Sequence, residues 1–214
     1  MALLNRKTLF VHINKSCGGI ITDNFKQNGL NELTGCHRSL DDMLTLLKNM
    51  YNLNPEDLFI FTIVRNPWER MLSMYLFYHK TNYNSPEFFS GDDNIDNNFN
   101  NWIEFIYSNL FDRKKKHGVI NIFNYCFCNQ LNWVKYKDTN NIIENVNIYK
   151  IENLNLDKFL KNTLKLNKVD AFKKVHPTNH KHYSQYYNNK SIKLVEEHYK
   201  DDIEYFNYKF ELII

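Results

Sequence analysis

A three-layer α/β/α fold with a central parallel sheet is what this sequence predicts, and three observations predict it. Strand-like and helix-like stretches alternate along the 214 residues, the pattern of a parallel sheet covered by helices on both faces. Leu58 to Val64 (LFIFTIV) is a continuous apolar run of the length and β-branched content of a central parallel strand. Thr8 to Ile13 (TLFVHI) reads as a short buried strand. A small-residue turn at Ser16 to Gly19 follows, then a helix-compatible stretch as far as Asn28.

The other elements follow in chain order. Ser39 is a helix cap with Asp42 three residues on, and Leu40, Met43, Leu44 and Leu47 recur at helical spacing. Asn66-Pro67 stops the central strand, and Pro67 suits the first position of a helix. That helix is apolar nearly all round from Trp68 to Tyr78, so it is predicted buried. Residues 82–101, rich in Asn, Asp, Ser and Gly and holding Pro86, predict a long loop or lid. Asn101 to Phe111 and Cys126 to Tyr136 read as helices, and Val146 to Ile151 alternates like a strand. Leu156, Phe159, Leu160 and Leu164 mark an amphipathic helix, Ala171 to Tyr183 a His- and Lys-rich loop, and Ser191 to Tyr205 a last helix. Nothing in the composition divides the chain, so residues 1–214 are expected to form one domain.

The net charge of +3 suits an anionic ligand and excludes a nucleic-acid-coating protein. Arg113 to Lys116 is the one dense basic run, read either as a solvated face or as a rim that attracts an acidic acceptor. Four cysteines include Cys126 and Cys128 with one residue between them, too tight for a zinc knuckle; free thiols and a reducing compartment are expected. The N-terminal segment does not read as a signal peptide, and no stretch approaches about 18 uninterrupted apolar residues. The expected location is the cytoplasm, in a microbe or a virus. His176, His180 and His182 cluster in the late loop without acidic or Cys companions, so no metal site is expected there.

Two segments carry chemistry. The first, His12-Ile-Asn-Lys-Ser-Cys-Gly-Gly19, joins a strand to a helix. A loop at that place aims backbone N–H groups at an anion, and the helix start adds partial positive charge. Lys15 supplies a full charge, and Gly18 and Gly19 allow close backbone approach. It is not the nucleotide-triphosphatase loop, in which the Lys follows the second Gly; here Lys15 precedes the glycines. The second, Val64-Arg-Asn-Pro-Trp-Glu-Arg-Met-Leu-Ser-Met-Tyr75, leaves the central strand and enters a helix. Arg65 lies at the carboxyl end of the strand, where open α/β sheets bind ligands, and Ser73 follows about two turns into the helix.

Together these segments resemble the carbohydrate sulfotransferases whose donor is 3'-phosphoadenosine-5'-phosphosulfate (PAPS), in particular the heparan-sulfate 2-O-sulfotransferase-like group and its bacterial and viral relatives. The first resembles H-I-P-K-T-G-G-T-S-I, the second V-R-[DN]-P-[WY]-[DE]-R-[LM]-[LV]-S-x-Y. Ile151-Glu-Asn-Leu154 and the Tyr-rich tail from Tyr183 to Phe210 are similar to the family's later segments. The resemblance implies a P-loop-like sulfotransferase fold and transfer of a sulfuryl group to a hydroxyl, most naturally a sugar's. It implies that Lys15 and the loop Ser16, Cys17, Gly18 and Gly19 hold the donor's 5'-phosphosulfate, that Arg65 and Ser73 hold its 3'-phosphate, and that Lys15 stabilises the leaving oxygen. It assigns the general base to His37, in Gly35-Cys-His-Arg-Ser39, and a further donor contact to Thr178; it requires no metal. Asn14 stands where Pro is usual, and Gly19 and Ile20 stand where Thr and Ser supply hydroxyls, so backbone amides are the expected ligands, aided by Ser16 or Thr22. Two other readings stay open: a nucleotide-dependent phosphotransferase, and a nucleotide-binding module without transfer.

Overall fold

A computed structural model describes residues 2–5, 7–30, 38–81, 89–116, 126–171 and 180–213. They form two compact units, Met1–Arg65 with Gln130–Val175, and Asn66–Asn129 with His176–Ile214.

The first unit holds the sheet. Its strands β1 (Ala2–Asn5), β2 (Thr8–Val11), β3 (Phe59–Val64) and β4 (Val146–Lys150) lie in that order. β2, β3 and β4 run parallel, with Leu9 opposite Ile60 and Ile60 opposite Val146. This is the predicted α/β class with its parallel centre. The nearly wholly apolar, buried run of β3 fits its place between two neighbouring strands. β1 is an antiparallel edge strand that the sequence did not reveal, because four residues are too few to establish a period. The one polar side chain inside β3, Thr62, is buried and donates its hydroxyl to the Val11 carbonyl at 2.8 Å, so burial leaves no unmatched group.

One face of the sheet presents Phe10, Phe61 and Ile63 to Ile21 and Phe25 of α1 (Gly18–Gln27), and to Phe159, Leu160 and Leu166. Phe10 stacks on Phe61 at 4.8 Å, and Phe159 meets Phe61 edge-on at 5.3 Å. The same helix grips residues 167–170 through two asparagines one turn apart. Asn24, fully buried, accepts the Asp170 N–H at 2.7 Å and donates to its carbonyl at 3.1 Å. Asn28 accepts the Asn167 and Lys168 N–H groups and donates to the Lys168 carbonyl. At these positions Asn is a substitute strand edge, not surface filler.

Ser39 caps α2 (Leu40–Leu46) by accepting the Asp42 N–H, as its spacing predicts. The helix widens into a π-turn over Leu47–Tyr51 and ends at Asn52, in the left-handed region with φ 49°. Asp42 also pairs with the Lys137 ammonium. The amphipathic stretch after β4 is a single turn, Leu156–Lys158, widening into a π-turn over Phe159–Thr163. The helix expected from Cys126 to Tyr136 does not form. Only 126–127 are helical, a 3-10 turn covers Gln130–Trp133, and Lys135 bridges to Ile142. Val134 accepts the Ile143 N–H at 2.8 Å, so the backbone there is drawn into an antiparallel pair instead of a helix.

The second unit is helical: α3 (Pro67–Thr81), α4 (Asp93–Asp96), α5 (Phe99–Lys116), α6 (Asn189–His198) and α7 (Lys200–Phe206). Asn66 caps α3, accepting the Trp68 and Glu69 N–H groups, with Pro67 first in the helix as predicted. Trp68, Met71, Leu72 and Met74 are buried, and Tyr75 packs against Phe99 and Trp102, each at 5.3 Å. His79 lies on Tyr75 at 4.2 Å and is half-buried. Residues 82–101, expected as one loop, contain α4 and the start of α5. The Asp96 carboxylate organises that turn by accepting the Ser90 and Gly91 N–H groups at 2.8 and 2.9 Å; residues 82–88 of the loop lie outside the described residues. The last predicted helix is two, divided at Tyr199 (φ −101°, ψ 26°), whose fully buried ring carries the Arg70 guanidinium at 5.7 Å from its centroid. Arg113 to Lys116 fall in the last turn of α5. Cys17, Cys126 and Cys128 are free thiols. Among the described residues no helix is long and apolar enough to cross a membrane.

How β2 hands over to α1 generates a stability prediction. His12, the first residue beyond β2, stacks on Phe10 at 5.4 Å. Its ring lies so close to α1 that a Cβ at Gly18 would fall 1.8 Å from Nε2. Alanine is the better helix former by about 1 kcal/mol, yet Gly18→Ala is expected to destabilise the protein by about 1–3 kcal/mol, because the ring cannot move without leaving Phe10. Denaturant unfolding of Gly18→Ala and of Gly18→Ala/His12→Ala checks this: the added cost of the methyl should vanish once the imidazole is gone.

Candidate functional site

The loop between β2 and α1 is built on two residues in the left-handed region, Lys15 (φ 62°) and Cys17 (φ 67°). Neither is Gly or Asn, so each costs of order 1 kcal/mol or more that the surroundings must offset. The gain is a tight reversal. The Ser16 N–H donates to the Ile13 carbonyl, and the Cys17 carbonyl accepts the N–H groups of Ile20 and Ile21, starting α1. Cys17 is the N-cap and supplies no side-chain bond to the helix, and the first turn holds no acidic residue. The positive end of α1 is therefore left uncompensated by its own helix, with Gly18 and Gly19 as its first two residues.

Arg65 follows β3 directly, and its guanidinium Nη1 donates to the Lys15 carbonyl at 3.3 Å. The structure thus brings Lys15, Ser16, Cys17, Gly18, Gly19 and Arg65 into one neighbourhood. Burial, and then the charge of Arg65, lower the Lys15 pKa to about 8. An ammonium with a like charge beside it and little water around it is stabilised by an anion more than an exposed one is. Burial pushes the Cys17 thiol up to about 11, with Arg65 opposing. The thiol is therefore protonated near neutral pH and is no nucleophile.

The two hydroxyls that the sequence offered to this loop are engaged within the protein. Ser16, fully buried, donates to Gln130 Oε1 at 3.3 Å. Thr22 donates to the carbonyls of Gly18 and Gly19, each at 3.1 Å. Ser73 lies on α3 in the other unit, 7% exposed. His37 and Thr178 lie outside the described residues. Sequence reasoning missed Gln130, which is fully buried and bonded to both Ser16 and Arg65. Its only signal was a polar residue within a stretch that had been read as helix.

Among the described residues no group of three or more His, Cys, Asp or Glu is arranged to hold a metal ion. His180 and His182 bond locally instead, to the Lys181 carbonyl and to the Ser184 hydroxyl.

No curated protein and no solved structure matches the chain. The model of the sulfotransferase family matches residues 1–209, the length that carries both the cationic loop and the Arg65 segment, and the chain belongs to that family.

Proposed function

We propose that the protein transfers a sulfuryl group from PAPS to a hydroxyl of a carbohydrate acceptor. The observation that carries this reading is the pairing of Lys15 with Arg65 beside the uncapped start of α1. Two cations and a helix N-terminus fit an adenine nucleotide with phosphoryl groups at two positions better than a neutral ligand. The donor supplies the activated sulfuryl group. The amides of Cys17, Gly18 and Gly19 hold its 5'-phosphosulfate, with Lys15 beside the oxygen that leaves. Arg65 takes the 3'-phosphate, a role shared with Ser73 by motif. His37 accepts the acceptor's hydroxyl proton and Thr178 adds a donor contact; these two assignments rest on the resemblance. The acceptor oxygen attacks sulfur in line, the bond from sulfur to the bridging oxygen breaks, and the charge that grows there is met by Lys15. Free thiols at Cys17, Cys126 and Cys128 support action in a reducing cytoplasm.

The donor assignment is tested by thermal shift with adenosine 3',5'-bisphosphate, adenosine 5'-monophosphate and ATP. At a hundredfold excess over Kd the bisphosphate should stabilise the wild type by about 2.7 kcal/mol, roughly 5–10 °C for a chain of this size. Arg65→Ala should lose most of that shift. An equal shift with ATP, together with a requirement for Mg²⁺ in transfer, would favour a phosphotransferase. Binding of bisphosphate with labelled PAPS left intact by every sugar acceptor would favour a module without transfer.

Lys15 predicts a pH dependence. Below about pH 8 the ammonium is already charged in the unliganded protein, and affinity for the bisphosphate is flat. Above that pH, binding must first recapture a proton, so affinity falls by up to about tenfold per pH unit until the higher pKa of the bound state is passed. Calorimetric titration from pH 7 to 9.5 should show this fall in the wild type. Lys15→Met should bind more weakly and without it; a fall of the same size in Lys15→Met would remove Lys15 from the site.

A further inference from the structure

Gln130 is a fully buried side chain that bonds to both halves of the cationic neighbourhood. Its Oε1 accepts the Arg65 backbone N–H at 2.9 Å, and its Nε2 donates to the Arg65 carbonyl at 2.9 Å. This two-point pairing settles the orientation of the amide: the reverse would set N–H against N–H and oxygen against oxygen. With Oε1 so placed, the hydroxyl of Ser16 has an acceptor in front of it and donates to it at 3.3 Å. One amide therefore pins the residue that opens the helix-start loop and the residue that follows β3. It does so at full burial, where an unmatched partner is costly.

We infer that Gln130 is a positioning residue that sets the spacing between the two phosphate sites of the donor, and hence the preference for a nucleotide phosphorylated at both the 3' and the 5' positions. The inference rests on the donor assignment made above. Gln130 touches no reacting atom; it acts through Ser16 and Arg65. Ser16 accordingly serves the loop as a strut, its hydroxyl proton held by Gln130, while the donor meets the amides that follow. A ligand with one phosphate engages one side of this spacing and is indifferent to it. A ligand with two must match both.

The test measures Kd by calorimetry for adenosine 3',5'-bisphosphate and for adenosine 5'-monophosphate, with melting temperatures recorded alongside. Gln130→Leu should weaken the bisphosphate by about tenfold or more and the monophosphate by no more than about twofold, so that selectivity collapses. Ser16→Ala should weaken the bisphosphate in the wild type and add nothing in Gln130→Leu, because the strut has no second end there. If Gln130→Leu does not fold, Gln130→Glu decides. Its carboxylate cannot donate to the Arg65 carbonyl, so selectivity should drop, and it should recover as falling pH protonates the new side chain. A wild type that binds both nucleotides equally would overturn the donor assignment and this inference together. A selective wild type whose Gln130 variants keep that selectivity within twofold would overturn the inference alone.

Discussion

Like charge held against like charge is the constraint on which the site depends. Lys15 sits in a partly buried loop with its carbonyl accepting from Arg65 Nη1. Neither burial nor the neighbouring guanidinium favours its ammonium. Among the described residues no acidic side chain stands in the first turn of α1, where one would have been most stabilising. Both effects work against the charged form of Lys15, and an anion beside it would relieve them. A perturbed ammonium of this kind is what the proposed anion site calls for.

Holding such a loop requires a rigid frame, and the frame is assembled from distant parts of the sequence. Left-handed backbone at Lys15 and Cys17 is tolerated because the flanking elements are fixed independently. β2 is locked into the parallel ladder beside β3. α1 is pressed onto the sheet by Ile21 and Phe25 and gripped from its far end by the Asn24 and Asn28 bonds to residues 167–170. His12 fills the space that Gly18 vacates. Gln130 then ties the loop to the exit of β3. The strain is local, and the compensation is spread over contacts that are each ordinary.

What was legible in the sequence followed from periodicity and from local chemistry. The run from Leu58 to Val64 announced a central strand because a strand buried on both faces needs apolar residues at nearly every position. Ser39 announced a cap because its partner lies three residues away. The cationic loop was legible because Lys15, Gly18 and Gly19 are adjacent in the chain. Gln130 was not, since its partners Ser16 and Arg65 are 114 and 65 residues distant and nothing local distinguishes it from a polar residue on a helix. The helix expected from Cys126 failed for the same reason: tertiary hydrogen bonds outweighed a weak local preference. Richness in Asn was read as loop, as at residues 82–101. That reading could not single out Asn24, whose side chain is a buried surrogate for backbone.

The Arg65 segment shows how far a motif can be read without a structure. It carries two arginines five residues apart, and by residue type either could meet a phosphate. The fold separates their roles. Arg65 leaves β3 at its carboxyl end and turns to the Lys15 loop. Arg70, on the first turns of α3, is fully buried; it donates to the Cys126 carbonyl at 2.8 Å and the Cys128 carbonyl at 3.3 Å and lies over the Tyr199 ring. A guanidinium so placed bonds two carbonyls at once, which is work a lysine's single point charge would do poorly. Helical phase separates the two positions. Arg65 precedes the Asn66 cap and belongs to the loop. Arg70 takes the first α-helical hydrogen bond of α3, to the Asn66 carbonyl at 2.8 Å, and the helix then carries its side chain inward with Met71 and Met74. The cap that starts the helix is thus also the boundary between the arginine that turns to the Lys15 loop and the arginine that holds the core.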